Sequence, residues 1–296
     1  MDGMPSTFEP ARDARDRFVA GGRFILFAAV FYGLLRLFSL ASNRLDTPGV
    51  VWGALVGNLT VACAALAATA ILAKLDRAPF GNFGLQPPIA SRFGTGALCG
   101  LLLLSGLLLV LRFSTSFRYG SLRFEGAATL GNALLYAALF IAVAFSEETL
   151  WRGYALVNLT RAVSFWPAAI LLSLIFGASH LKHDTESMLG VGFAALFGVV
   201  LAWSFLRTGS LWLALGIHAG WDYAQSFVYG VPDSGVVLPA SLLRGQMGVP
   251  TLLTGGKVGP EGSILMILVL GALALFLSKY WTKSVQPSHP GTSRVL

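Results

Sequence analysis

The 296-residue sequence predicts an all-α, polytopic membrane bundle of about eight transmembrane helices. Two observations lead there. Hydrophobic residues make up 55% of the chain and charged residues only 12%, against roughly 25% charged in an ordinary soluble domain, so a soluble globule of this size could not cover its surface with polar groups. The uncharged runs are also long, most of them approaching the 20 or so residues with which a helix crosses a hydrocarbon layer of about 30 Å.

A polar tail, residues 1–22, precedes the first span at 24–42. Arg36 interrupts that span near its end, where a long side chain can carry its guanidinium to the headgroups. No clear small-residue cleavage site follows, so the span is expected to stay as a membrane helix and not to be removed as a signal peptide. Spans two and three, 48–73 and 94–111, flank a Pro- and Gly-bearing stretch at 78–92 that reads as a loop or interfacial segment. The fourth, 126–146, runs into Glu147 and Glu148 and is apolar again over 153–159, so its helix is expected to continue to about Arg161. Spans at 162–179 and 187–206 follow; 211–228 carries His218 and Asp222; and 262–278 comes after the one long loop, 232–261. Residues 23–281 thus form a single transmembrane domain, followed by a polar tail at 282–296. There is no internal repeat.

Lys and Arg divide thirteen to seven between the two sets of loops when both termini lie inside, which is the orientation the positive-inside rule favours. The net charge of +7 is therefore topogenic and headgroup-facing, and no basic motif points to nucleic acid. Cys63 and Cys99 both fall in apolar spans without a CxxC pair, so they read as small buried hydrophobes.

Three short patterns carry the chemistry. In Glu147-Glu148-Thr149-Leu150-Trp151-Arg152, Glu148 and Arg152 stand four apart, acid first, the favourable order for a helical ion pair. Glu147 points about 100° away and has no such partner. Ordinary helix-end charge is the bland reading, but the apolar residues that follow leave both glutamates at membrane depth, where a carboxylate costs at least about 2.5 kcal/mol and is usually functional. Phe176 and His180 are likewise i and i+4 on one face. A turn between Arg161 and Phe165 puts Glu147 and His180 almost equally far from it, roughly 20–25 Å along two antiparallel helices, and so level with one another. His218 and Asp222 form a third i, i+4 pair, about 12 and 18 Å into an otherwise apolar span, and can be a structural hydrogen bond or part of a proton relay.

Glu-Glu-x-x-x-Arg, Phe-x-x-x-His and His-x-x-x-Asp, in that order on successive hydrophobic helices, closely resemble the CPBP intramembrane proteases. That family includes the type II CAAX prenyl endopeptidases, the lysostaphin resistance protein A-like proteins and the Abi group. Trp151-Arg152-Gly153 and Gly209-Ser210-Leu211-Trp212 agree as well, and the likeness covers residues 127–228. The resemblance implies an endopeptidase in which Glu147 is the general base that activates a water, His180 holds or polarises that water, and His218 with Asp222 stabilises the oxyanion. Glu148, Arg152 and Phe176 would support the site. No cofactor is implied. The partners implied are the lipid bilayer and a membrane protein or lipidated peptide as substrate, with the protein in a bacterial cell membrane.

One position departs from the CAAX-processing branch, which usually has Asn where this chain has Asp222. An amide donates directly to an oxyanion. Asp222 must either be protonated or orient and charge His218, the second being the preferred expectation. Two histidines and a glutamate also invite a zinc reading, but HExxH is missing and the closest pair, His180 and His183, sits in a polar turn, so a water-activating glutamate is preferred. The non-enzymatic alternatives are a membrane scaffold or immunity protein, in which the motif side chains are dispensable, and a proton-relaying transporter, which neither repeat symmetry nor paired broken helices support.

Overall fold

The computed structural model describes residues 6–86, 90–114, 116–182 and 185–284. His183 and residues 285–296 of the C-terminal tail lie outside the described residues. Ten α-helices follow in order: α1 (Ala14–Ser42), α2 (Val50–Leu75), α3 (Ala90–Phe113), α4 (Ala127–Arg152), α5 (Tyr154–Val163), α6 (Phe165–Ser179), α7 (Met188–Thr208), α8 (Trp212–Tyr223), the single turn α9 (Thr251–Thr254) and α10 (Met266–Ser284). The chain is an all-α polytopic membrane protein, and among the described residues six helical stretches are long and apolar enough to cross a membrane.

The expected count of eight is not met at that length, for local reasons. α8 has 12 residues before it passes into a π-helical turn, Ala224–Val228, and α10 begins only at Met266, after a separate 3-10 turn at Pro260–Gly262. At the other end, α1 begins inside the segment read as a tail. Asp13 caps it, its side chain accepting from the Asp16 backbone N–H at 2.7 Å, so the helix starts ten residues before the apolar run. Arg36 is exposed on α1, as a headgroup-reaching side chain should be. The cysteines depart from expectation. Cys63 is exposed, and Cys99 is half-buried against the cluster that includes Leu213 and Ile217.

α8 is the innermost element. Every residue from Leu213 to Asp222 is buried, with α3, α4 and α7 packed around it. Small residues make this possible. Gly96 and Gly100 of α3 face Gly216 and Gly220 of α8, so closely that a Cβ on Gly220 would lie 2.1 Å from the Ala97 carbonyl oxygen and one on Gly100 2.1 Å from that of Ile217. Two small-xxx-small stripes thus bring the backbones together, which is how helices associate where the surroundings are as apolar as the side chains.

The continuous helix expected to Arg161 is broken at Gly153. A Cβ there would meet the Thr149 carbonyl oxygen at 2.4 Å, and the chain leaves α4 with φ −75° and ψ −122° to start α5 in a new direction against α1 and α6. The reversal between α5 and α6 falls at Ser164, where the turn was expected.

The 232–261 loop is ordered by its partners. β1 (Phe117–Arg118) pairs antiparallel with β2 (Gln246–Met247), Leu242 N–H donates to Phe227 O at 2.7 Å, and the Tyr136 hydroxyl donates to the Pro239 carbonyl. The loop is thereby fastened across the ends of α3, α4 and α8, over the site.

Candidate active site

The last turn of α4 turns its two neighbouring glutamates to different surroundings. Glu148 faces inward and has no exposed surface, whereas the Glu147 side chain is 30% exposed, into a cavity. Glu148 Oε1 accepts from Arg152 Nη1 at 3.1 Å and from His218 Nδ1 at 2.9 Å. The expected helical ion pair is therefore present, and it reaches further than expected, because the same oxygen holds the histidine. With Nδ1 donating to Glu148, the other ring nitrogen, Nε2, lies 3.4 Å from Asp222 Oδ2 and 3.7 Å from Glu147 Oε2. Glu147, which has no i, i+4 partner of its own on the helix, thus has His218 of another helix within ion-pair range. Three carboxylates surround one imidazole, an arrangement suited to carrying its positive charge.

Arg152 links this cluster to the second motif. Its guanidinium lies 4.4 Å above the centre of the Phe176 ring, and its Nη2 occupies the space opposite Gly198 of α7, where a Cβ would approach it to 2.6 Å. Phe176 in turn packs edge-on against His180, the ring centres 4.9 Å apart. His180 caps the C-terminus of α6, and its Nδ1 is 3.0 Å from the Phe176 carbonyl oxygen. A carbonyl only accepts, so Nδ1 donates in this bond.

Glu147, Phe176, His180, His218 and Asp222 all line one cavity of about 330 Å³. Glu148 and Arg152 stand behind it, fully buried. All seven residues singled out in the sequence are thus brought to one place, four as polar groups on the cavity wall, Phe176 as an aromatic one and two as its backing. The remaining wall is largely apolar, with Phe140, Val143, Phe193, Phe197, Trp221 and Met266.

Sequence reasoning missed two residues. Asp233 and Glu261 fall in the long loop read at 232–261, yet both line the cavity, and one oxygen from each of Asp222, Asp233 and Glu261 lies within 4.8 Å of the others. Ser226 Oγ donates to Asp233 Oδ2 at 2.9 Å, and Ser234 donates from its backbone N–H and Oγ to Glu261 Oε2 at 2.7 and 3.0 Å. No spacing in the sequence signals this, since Asp222 and Glu261 meet through the folding of the intervening loop. Burial, with Asp222 and Glu261 as like-charged neighbours, holds the Asp233 carboxyl well above the usual carboxylate range. Among the described residues, the two histidines and Glu147 do not form a comparably close ligand set.

Residues 129–224, about a third of the chain, match the family model described as Type II CAAX prenyl endopeptidase Rce1-like. The matched segment runs from α4 to the start of the π-helical turn and contains all three motifs. No curated protein and no solved structure matches the chain.

Proposed function

We propose that this protein is a multi-pass endopeptidase of a bacterial cell membrane that hydrolyses a peptide bond in a membrane protein or lipidated peptide, with Glu147 as general base. The convergence of Glu147, His180, His218 and Asp222 on one apolar-walled cavity carries this reading. The match of residues 129–224 to a family of membrane proteases supports it as well.

In this mechanism a water sits between Glu147 and His180, both of which line the cavity. Glu147 removes its proton as the oxygen adds to the scissile carbonyl, and the negative charge that develops is received by the His218 and Asp222 side of the cavity. Donors fixed in a site from which water is largely excluded act far more strongly than in water. Glu148 and Arg152 are positioning residues: by accepting from Nδ1, Glu148 turns the other nitrogen of His218 toward the cavity. The apolar wall suits the acyl or isoprenoid chain of a lipidated peptide, or the side chains of a membrane helix.

A farnesylated CAAX peptide with a fluorescence-quenched scissile bond, presented to the purified protein in liposomes, tests the reading. Glu147→Gln should reduce cleavage by about 100-fold or more, and His218→Ala by a similar factor. Cleavage that survives intact in Glu147→Gln would falsify the glutamate mechanism. Comparison of new N-termini in membranes carrying the native protein or Glu147→Ala identifies natural substrates. A scaffold would show no difference.

A further inference from the structure

Asp222, Asp233 and Glu261 come from three elements: α8, the loop after it, and the 3-10 turn before α10. Their oxygens lie within 4.8 Å of one another, and Asp222 is only 5% exposed. Hydrogen bonds from Ser226 and Ser234 hold the outer two in place. Five carboxylates line the cavity, those of Glu147, Glu186, Asp222, Asp233 and Glu261, against Lys182 and two histidines. His218 faces Asp222 at 3.4 Å but is shared with Glu147 and Glu148, and Arg152 is engaged by Glu148. Among the described residues, the three clustered acids thus have His218 as the one cation within ion-pair range of Asp222, and it is shared. Anions crowded in this way keep a proton between them.

We propose that Asp222, Asp233 and Glu261 share a proton, and that this proton is the donor Asp222 presents to the oxyanion, with Asp233 and Glu261 acting as positioning residues. The proposal rests on the endopeptidase reading above and accounts for an acid where an amide donor is expected. When water adds to the carbonyl, its proton goes to Glu147, the new C–O bond forms and the carbonyl π pair moves to oxygen. The shared proton hydrogen-bonds to that oxygen without being transferred. On collapse the C–N bond breaks, its electron pair goes to nitrogen, and nitrogen takes the proton back from Glu147. The cluster ends with the proton it began with.

The pH profile of peptide cleavage tests this. The native protein should lose activity on the alkaline side, where the cluster loses its proton. In Asp222→Asn the amide donates at every pH, so that limb should vanish. Asp233→Asn and Glu261→Gln each remove a like charge and should move it down by about one pH unit or more. A limb unmoved in all three variants overturns the proposal. So does activity that a chelator abolishes and a divalent cation restores, which would assign the cluster to a metal.

Infrared spectroscopy supplies a readout that needs no catalysis. A protonated-carboxyl C=O band should be present near neutral pH in the native protein and in Glu147→Ala, and should disappear at lower pH in Asp233→Asn and Glu261→Gln than in the native protein. Absence of the band overturns proton sharing. A native protein that shows the band but cleaves no peptide overturns the endopeptidase reading, and the donor role with it. Should Asp222→Asn fail to fold, the two loop variants still decide the question.

Discussion

Two adjacent residues of identical charge have separate tasks because one helical step rotates them into different surroundings. Glu148 is sealed against Arg152 and His218, and Glu147 faces the cavity. Removing one partner of a buried pair leaves the other charge uncompensated, so Arg152→Met should destabilise the protein by about 3–5 kcal/mol, read as a lowered unfolding midpoint in detergent. Glu148→Gln weakens the acceptor that orients His218. Its effect should appear mainly in kcat, with KM little changed, because the interaction serves the transition state more than substrate binding. An equal rise in KM would instead place Glu148 in binding.

At the scale of elements, the packing of α3 on α8 sets the position of His218 and Asp222. Gly220 lies between them on the same helix, and any side chain there strikes the backbone of α3. Gly220→Ala should therefore separate the helices, cost about 1–3 kcal/mol and lower cleavage. Gly106 provides a control on α3 itself, since nothing lies within 4 Å of a Cβ placed there. Gly106→Ala should change stability by no more than about 0.5 kcal/mol. Equal effects of the two substitutions would show that helix propensity, and not close approach, governs the interface. Gly153 has a comparable part, for its break sends α5 away from α4 and lets α6 return with His180 beside the end of α4.

For the whole molecule, β1 pairs with β2 and Thr185 lies against Gly235, which brings the loops that carry them to one end of the bundle, and residues following α6 and α8, among them Lys182, Glu186, Asp233 and Glu261, complete the cavity wall. The thirteen-to-seven division of Lys and Arg predicts that this end faces away from the cytoplasm. After replacement of Cys63 and Cys99, a cysteine at the exposed Val237 should react with an impermeant thiol reagent from outside intact cells, whereas one at the exposed Lys74 should react only after permeabilisation. Reversed labelling would put the cavity on the cytoplasmic side. The membrane class, most helices and all seven motif residues were legible in the sequence, because apolar run length and i, i+4 spacing are local properties written along one segment. The length of α8 and the start of α10 were less so, since a π-helical turn ends the one and a 3-10 turn at Pro260–Gly262 precedes the other without changing the hydropathy. By itself, then, the sequence determined that this is a polytopic membrane protein with three polar motifs on successive helices. Only the tertiary structure decided that Glu148 holds His218, that Glu147 lies within reach of the same ring, and that Asp233 and Glu261 join Asp222. Those contacts cross loops of many residues, and they follow from which helix faces pack together, a property of the assembled bundle that no local pattern contains.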